Sequence, residues 1–223
     1  MTPERLSRSV WLVGGPALTD PADCLVYALD LGVPVLVDSG CGPGWPGIRA
    51  NLAAAGLASV HTLVLTHGHV DHIGAAPRVR RETGCRIVAH ALDSAAIASG
   101  DPELTAASWY GVDLEPCPVD EIVTGEGRAL AFAGGTLHLV HAPGHTPGSM
   151  VAWLDTPDAG RVLFAQDAHG PLSASFGSCR ADWQRSLERM IALEPDLLCE
   201  GHFGVYRGRA AAREYLEELL MSG

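Results

Sequence analysis

The segment LTHGHVDHIG, residues 65–74, most restricts what this chain can fold into. It places His67, His69, Asp71 and His72 directly after the apolar run HTLVLT. That run predicts a strand, and side chains two positions apart on an extended chain point the same way. His67 and His69 can therefore converge on one metal ion, whereas Asp71 and His72 follow where the chain turns and face a neighbouring position. This alternation favours two adjacent ions over one closed tetrahedral site.

Four ligands do not complete two ions, so the pattern requires further donors, also at strand ends. His145 lies in the turn of HLVHAPGHTPGSM, Asp167 follows the apolar run of VLFAQDAHG, and His202 follows that of LLCEGHFG. A carboxylate such as that of Asp167 can bridge two cations, which an imidazole cannot do. We therefore expect these residues to meet the first four at a common rim.

The size and charge of the chain limit its function. Its 223 residues are enough to bury a core without structural metals or disulfides, so a metal would serve chemistry rather than folding. No low-complexity segment or Ser/Gly linker divides the chain, and we expect one domain over residues 1–223. The net charge of −11 and the lack of a basic tract argue against a nucleic-acid partner.

The cysteines and the hydropathy pattern indicate the compartment. The six cysteines form no C-x-x-C pair, which argues against a zinc ribbon and against a dense disulfide framework. The apolar run near the N-terminus is too short for a secretion signal, and no stretch approaches the roughly 18 apolar residues of a membrane span. We therefore expect reduced thiols, a cytoplasmic location and no membrane partner. The sequence leaves the oligomeric state open.

Short β-branched or apolar runs predict strands at residues 9–13, 24–29, 33–37, 61–66, 86–90, 121–123, 129–133, 136–140, 150–154, 161–165 and 196–200. Helices are predicted at residues 48–55, 77–83, 91–99, 182–193 and 209–220. Pro77 fits a first helical turn, Gly84 a helix stop and Asp182 an N-cap. The apolar residues at helical spacing after Asp182 are expected to face the core: Trp183, Leu187, Met190 and Ile191. This order predicts two sheets packed face to face with helices outside.

Residues 98–118 form the longest stretch without a clear strand. Long connections without secondary structure of their own are uncommon in compact domains and are often functional. We expect this stretch to be a mobile insertion near the metal site.

The motifs THGHVDH, PGHTPGS, LFAQDA and EGHFG, with VLVDSGCG before them, resemble the metallo-β-lactamase superfamily. The resemblance runs through nearly the whole chain and implies an α+β fold, the four-layer αββα sandwich of that family. It implies a first metal held by His67, His69 and His145, a second held by Asp71, His72 and His202, and Asp167 as the bridge. It also implies two divalent cations, for which we expect zinc, with iron or manganese as alternatives.

Other polar residues are given supporting roles. Asp38 resembles the family's strand-end aspartate and is expected to fix a loop or orient a ligating histidine rather than bind metal. His169 is interpreted as an ordinary or supporting histidine, with proton transfer or substrate contact as the alternative. Tyr110 and Tyr206 are interpreted as buried structural residues, with an oxyanion-side phenol as the alternative. The histidines without an evident partner are interpreted as structural: His61, His90, His138 and His141.

A centre of this kind predicts hydrolysis. Two divalent cations about 3.5 to 4 Å apart lower the pKa of water from about 15.7 to about 7 and can share a bridging hydroxide. Asp71 is the expected catalytic residue, because it would both bind metal and orient this nucleophile. The metals would polarise a carbonyl group, hold its oxyanion and anchor the leaving group.

Departures from the family pattern narrow the reaction. Class B β-lactamases generally have Cys where Asp167 stands, or alter the position of His72, which disfavours β-lactam hydrolysis here. The PGHTPGS turn and the single helix between Asp167 and His202 resemble the glyoxalase II, lactonase and thioesterase group. The short segment after His202 does not favour glutathione thioesters, because glyoxalase II enzymes have a longer helical region there.

We therefore predict a dinuclear metal-dependent hydrolase that cleaves an ester, thioester or lactone bond of a small molecule. Two alternatives stay open. One is an oxidoreductase that resembles persulfide dioxygenases and binds a single iron. The other is a non-catalytic metal-binding protein.

Overall fold

The computed structural model describes residues 2–222, which contain thirteen strands, seven α-helices and one 3-10 helix at Ala174–Phe176. The strands are β1 Glu4–Arg5, β2 Val10–Gly14, β3 Val26–Asp30, β4 Pro34–Val37, β5 Thr62–Val64, β6 Arg86–His90, β7 Glu121–Val123, β8 Gly127–Phe132, β9 Gly135–His141, β10 Met150–Thr156, β11 Gly160–Phe164, β12 Leu197–Cys199 and β13 Val205–Arg207. The helices are α1 Trp45–Ala54, α2 Val70–Ile73, α3 Ala76–Thr83, α4 Ala91–Ser99, α5 Ala107–Tyr110, α6 Arg180–Ala192 and α7 Arg209–Ser222.

The strands form two mixed sheets. The first sheet has the order β1-β2-β3-β4-β5-β6-β7, antiparallel as far as β4 and parallel from β4 to β7. The second has the order β13-β12-β11-β10-β9-β8, in which only β11 and β12 are parallel. Each sheet therefore has a parallel part, and the carboxyl ends of parallel strands meet at one edge.

Three apolar clusters show how the layers stack. The cluster between the sheets takes side chains from both, such as Val64 and Val88 from the first and Val162 and Phe164 from the second. A second cluster packs α1, α3 and α4 on the outer face of the first sheet. A third packs α6 and α7 on the outer face of the second. The layers therefore run helix, sheet, sheet, helix, and the predicted αββα sandwich is confirmed.

All the predicted strands and helices are present, with bounds that differ by a few residues. The sequence analysis missed β1, β13, α2 and α5, which have two to four residues each and are too short to show a hydrophobic period. Pro77 lies at the start of α3, and Gly84 ends that helix with a left-handed φ of 71°, both as predicted. Among the described residues, no helix is both long enough and apolar enough to cross a membrane.

The prediction for Asp182 is wrong. Helix α6 begins at Arg180 with Cys179 as its N-cap, so Asp182 lies inside the first turn. A carboxylate there still interacts favourably with the positive end of the helix dipole, which explains the signal in the sequence. The predicted core face is confirmed, because Trp183, Leu187 and Met190 are buried and Ile191 packs partly buried against them.

Backbone and side-chain hydrogen bonds join the two sheets at the edge where the parallel strands end. The Tyr27 hydroxyl donates to the Glu200 carbonyl at 2.7 Å. The Leu25 amide donates to Gly201 and the Met150 amide to Thr66, each at 2.7 Å. These bonds hold the start of β3 against the end of β12, and the end of β5 against the start of β10.

Candidate metal centre

Seven predicted ligands meet at this edge in two groups. The first group contains His67, His69, His145 and Asp167, all buried, with one ligand atom of each within 4.8 Å of the others. The second contains Asp71, His72, Asp167 and His202 at the same spacing, and only His202 is partly exposed. The structure therefore brings together all seven residues that the sequence analysis predicts to bind metal, in two groups that share Asp167.

Asp167 belongs to both groups, and its two oxygens face different sides. Its Oδ2 lies 3.4 Å from His145 Nε2 and 3.9 Å from His67 Nε2. Its Oδ1 lies 3.0 Å from His72 Nε2 and 3.4 Å from His202 Nε2. A carboxylate in this position can bind one cation through each oxygen, which is the geometry of a bridge.

The local backbone explains the spacing of the first motif. Beyond β5 the chain bends at residues 66–68 and is extended at His69, which is the N-cap of α2 with a φ of −78° and a ψ of 145°. The His69 carbonyl then accepts the amides of His72 and Ile73, each at 3.0 Å. His67 and His69 therefore project from the loop between β5 and α2, while Asp71 and His72 project from a single helical turn. The change from loop to helix sends the two pairs to neighbouring groups.

Asp38 orients histidines of both groups without contacting the centre itself. Its Oδ2 lies 2.8 Å from His72 Nδ1 and accepts the Thr66 hydroxyl at 2.8 Å, and the Thr66 hydroxyl lies 3.1 Å from His67 Nδ1. Since Nδ1 of each ring is held, Nε2 carries the lone pair that faces the centre. Asp38 reaches this position with a left-handed φ of 60°. Its predicted role as a supporting carboxylate agrees with these contacts.

A second buried carboxylate, Asp93, was missed in the sequence. Its Oδ2 accepts the Gly68 amide at 3.0 Å and the Thr146 hydroxyl at 2.7 Å, and its Oδ1 accepts the Gly148 amide at 2.7 Å. Asp93 thus ties the loop of His67 and His69 to the loop of His145. A Cβ at Gly148 would lie 2.4 Å from Asp93 Oδ1, so this close approach requires glycine. Asp93 lies on α4, and no motif around it in the sequence indicates this role.

Glu200 was also missed, although it directly precedes the EGHFG glycine. It is fully buried, and its Oε2 accepts the amides of His202 at 2.6 Å and Phe203 at 2.8 Å. Its Oε1 lies 2.7 Å from His169 Nδ1. Glu200 therefore positions the loop that carries His202 and holds the His169 ring with Nε2 free to face the cavity. The available signal in the sequence was an acidic residue directly after the apolar run LLC and two positions before His202.

The donor set fits divalent cations. His67 Nε2 is buried without a hydrogen-bond partner, and His145 Nε2 lies only 2.9 Å from His69 Nδ1. Two imidazole nitrogens this close need a proton or a cation between them. Burial lowers the pKa of His67 and His145 and lowers that of His69 to about 3, so these rings are neutral and their lone pairs are free. Histidine and carboxylate donors of this kind suit zinc, iron and manganese.

The second group differs in charge. Burial lowers the pKa of His202, but hydrogen bonds to Asp167 and Asp71 outweigh this effect and raise it to about 10. Burial also opposes ionisation of Asp167, yet His72 and His202 hold its pKa well below the usual range. Cys24 lies beside Asp38 and His72, but burial raises the pKa of its thiol to about 12, so the thiol is protonated.

A cavity of about 270 Å³ opens over the two groups. Four aromatic side chains form its walls: Trp109, Tyr110, Phe176 and Phe203. Among the described residues, no arginine or lysine lines it. The interpretation of Tyr110 as a buried structural residue is wrong, because it is 43% exposed and lies beside Asp71. Trp109 and Tyr110 belong to α5, so residues 98–118 do lie near the site, as predicted.

The remaining histidines lie outside the ligand groups, and three of them have stacking partners that the sequence did not reveal. His90 stacks on His141 with ring centroids 4.0 Å apart, and His138 stacks on Trp153 at the same distance. His61 is exposed and contacts Thr62. Among the described residues, all six cysteines are free, as predicted.

Comparisons with known proteins agree with this arrangement. The family model described as the metallo-beta-lactamase superfamily matches residues 19–202. A probable metallo-hydrolase from Bacillus subtilis is 30% identical over 167 residues, which cover 72% of this chain and 77% of that protein. A hydroxyacylglutathione hydrolase from Haemophilus influenzae is 32% identical over 91 residues, which cover 40% of this chain and 42% of that protein.

Solved structures show the same fold at lower identity. A metallo-beta-lactamase from Cronobacter sakazakii superposes with a TM-score of 0.83 at 20% identity, covering 100% of this chain and 96% of that one. A metallo-beta-lactamase from Legionella gormanii gives 0.82 at 17% identity, with coverage of 100% and 94%. At these identities the likeness concerns the fold alone.

Proposed function

Since the chain belongs to the metallo-β-lactamase superfamily, we propose that it is a dinuclear metal-dependent hydrolase that cleaves an ester, thioester or lactone bond of a small molecule. The observation that carries this proposal is Asp167. It lies in both ligand groups and directs one carboxylate oxygen to each. A single closed metal site would not need this arrangement. Zinc is the metal we propose, on the basis of the imidazole-rich donor set.

Two bound divalent cations would supply a water of lowered pKa and positive charge for the carbonyl oxygen. Asp71 then has a second role besides ligation. Its Oδ2 lies 3.1 Å from His202 Nε2 and 3.7 Å from His72 Nε2, at the base of the cavity. From there its carboxylate can accept a hydrogen bond from the attacking water and orient it towards the substrate. Asp71 is therefore the proposed catalytic residue.

Tyr110 is the polar group of the cavity wall best placed to contact substrate. Burial and the neighbouring Asp71 carboxylate raise its pKa, so the phenol stays protonated and can donate a hydrogen bond. His169 lines the same cavity, and because its Nδ1 donates to Glu200, its Nε2 carries a lone pair that can accept a hydrogen bond. Tyr110 as donor and His169 as acceptor can hold the polar atoms that flank the bond to be cleaved.

The cavity also limits the substrate. Its volume of about 270 Å³ lies just below the range of about 300 to 1,000 Å³ typical of drug-sized ligands. Aromatic walls without a basic side chain favour a short, uncharged acyl group. We therefore propose a small-molecule substrate and no nucleic-acid or membrane partner.

The test combines metal analysis with a substrate panel. The purified protein is loaded with Zn, and metal per chain is measured by mass spectrometry. Hydrolysis is then measured for short acyl esters, thioesters and lactones. We expect about two metals per chain and turnover of at least one class that disappears with a chelator and returns with Zn.

A matched histidine variant controls for unspecific effects. His61→Ala removes an exposed histidine outside the centre and should leave both metal content and turnover unchanged. The proposal is wrong if the protein binds two metals but cleaves no member of the panel. Oxygen consumption with a persulfide and one iron per chain would instead establish the oxidoreductase alternative.

A further inference from the structure

A second depression adjoins the catalytic cavity and has no role in the mechanism above. It has a volume of about 620 Å³ and lies along α7, beside β13. His169 and Phe203 line both the depression and the cavity, so the two are continuous at these residues. The other principal walls are Tyr206, Tyr215, Glu214 and Glu218, and we refer to this depression as the α7 groove.

Aromatic rings form the floor and entrance of the α7 groove. Tyr206 and Tyr215 stack with centroids 4.1 Å apart and an interplanar angle of 19°. Phe203, at the junction with the cavity, is 64% exposed and packs its edge against His169 at 4.6 Å. An aromatic surface left exposed beside a catalytic cavity is suited to contact with an apolar part of a ligand.

The charge along the groove is negative. Glu214 and Glu218 lie one turn apart on α7, and neither forms an ion pair with any residue in the described range 2–222. The nearby arginines are engaged elsewhere: Arg207 pairs with Glu4, Arg209 with Asp196, and Arg213 with Glu217. A cationic ligand group would therefore meet two free carboxylates and two aromatic rings, which also attract cations. An anionic group would meet like charge.

The position of the groove indicates which part of a substrate it would hold. It joins the cavity at Phe203, directly after His202, which belongs to the second ligand group. In a two-metal hydrolase one metal polarises the carbonyl and the other stabilises the departing atom. The more exposed second group, next to the groove, is the one suited to the leaving group.

We propose that the α7 groove binds the leaving group of the substrate, and that this leaving group has an apolar, aromatic-sized body that ends in a cationic amine. The inference rests on the proposed hydrolase function and names its substrate class. It also separates this chain from enzymes that act on glutathione thioesters, because glutathione carries a net negative charge.

The test uses acetyl thioesters of three phenethyl thiols with the same shape and different charge. The para substituent is an aminomethyl group (cationic), a methyl group (neutral) or a carboxylate (anionic). We expect kcat/KM to be about tenfold higher for the amine than for the methyl compound, as one cation–π contact and exposed carboxylates would give, and lowest for the carboxylate. Moving the amine to the acyl side should remove the gain.

Variants show whether the groove causes this order of kcat/KM among the three thioesters. The double variant Glu214→Gln with Glu218→Gln should reduce the advantage of the amine to about twofold and leave the methyl compound unchanged. The matched double variant Glu188→Gln with Asp113→Asn removes the same charge outside the groove without releasing Arg213 from Glu217, and it should keep the advantage. Ala211→Phe fills the groove from α7 and should slow all three phenethyl thioesters but not S-methyl thioacetate.

Binding measured without reaction distinguishes the ligand preference of the groove from the proposed hydrolase activity. Non-hydrolysable thioether analogues of the three compounds are titrated calorimetrically into the Zn-loaded protein, and the amine should bind most tightly. If no ester, thioester or lactone is hydrolysed but the amine analogue still binds best, the proposed hydrolase is wrong and the groove assignment stands. Equal affinity for the three analogues, or preference for the carboxylate, overturns the groove assignment whatever the activity.

Discussion

The two ligand groups share Asp167 but differ in how firmly the protein holds them. In the first group all residues are buried, and the loops of His67, His69 and His145 are joined to one another through Asp93. In the second group His202 is 25% exposed and lies on a loop held mainly by Glu200. The first group is thus a prearranged, closed site, and the second is its open neighbour.

This difference indicates a division of labour. A buried, neutral imidazole set binds a cation tightly because the ligands need no rearrangement and no proton has to leave. The second group carries more charge, contacts the cavity and adjoins the α7 groove, so it is suited to ligand exchange and leaving-group contact. The comparison predicts that the first metal stays bound under conditions that release the second.

Removal of one ligand from each group should produce the largest effect. We expect His67→Ala to lower kcat/KM by more than about 1,000-fold, and His202→Ala by about 10- to 100-fold, because only the first variant disrupts the closed site. Metal per chain after dialysis should fall below one for His67→Ala and to about one for His202→Ala. Equal loss of metal in both variants would remove the distinction between the groups.

The supporting carboxylates allow a sharper comparison. Asp93→Ala leaves two buried amides and a hydroxyl without an acceptor, and we expect the affinity for the first metal to fall about 10- to 100-fold while that for the second changes little. Asp38→Ala should weaken both metals, since Asp38 supports His72 directly and His67 through Thr66. Competition with a chromogenic chelator measures both constants. If both variants lost affinity for the two metals in the same proportion, Asp93 would not support the first group separately.

The two groups should also respond oppositely to pH in metal-free protein. Burial lowers the pKa of His69 to about 3, so its contribution to stability is present above about pH 6.5 and is lost as pH falls towards 3. Despite burial, hydrogen bonds to Asp167 and Asp71 raise the pKa of His202 to about 10, so its contribution is complete below about pH 6.5 and is lost as pH rises through 10. His69→Gln should flatten the acid side of the thermal-midpoint profile and His202→Gln the alkaline side, each by a few degrees. An alkaline side unaffected by His202→Gln would show that this ring is neutral in the folded protein.

The smallest effect is expected at the cavity wall. Tyr110→Phe removes a hydroxyl beside Asp71 without emptying space, and we expect kcat to fall about two- to fivefold with unchanged metal content. Phe at this position keeps the aromatic wall, so KM should change less than kcat. A loss as large as that of His202→Ala would mean that the phenol acts on the reacting atoms and not merely beside them.

The sequence predicted the fold and the ligand set because both depend on local pattern. Apolar runs that end in His or Asp mark strand ends, and parallel strand ends meet at one edge, so His67, Asp167 and His202 were found without coordinates. Asp93 could not be found in this way. Its helix has no pronounced apolar face that would mark Asp93 as buried, and its three donors come from segments 25 to 55 residues away.

The two wrong predictions, for Asp182 and Tyr110, also concern features that tertiary structure decides. Asp182 is a good N-cap residue, but the tertiary position of α6 starts the helix at Arg180. Tyr110 was expected in the core because nothing in its neighbourhood shows that α5 folds over the centre. The α7 groove depends on which arginines find distant acidic partners, such as Arg207 with Glu4, and no local pattern contains that information.

The passage from the loop after β5 into a helical turn between His67 and His72 also restricts how this chain can change over evolution. Side chains advance by about 100° per residue in the helical turn. Deleting Gly68 would change the spacing of His67 and His69, and inserting one residue after His69 would rotate Asp71 and His72 away from their partners. Val70 is buried against Cys41 and Ala107, so both its size and the length of the segment are restricted. The length of this segment is therefore fixed, and insertions or deletions must be confined to the loops around it.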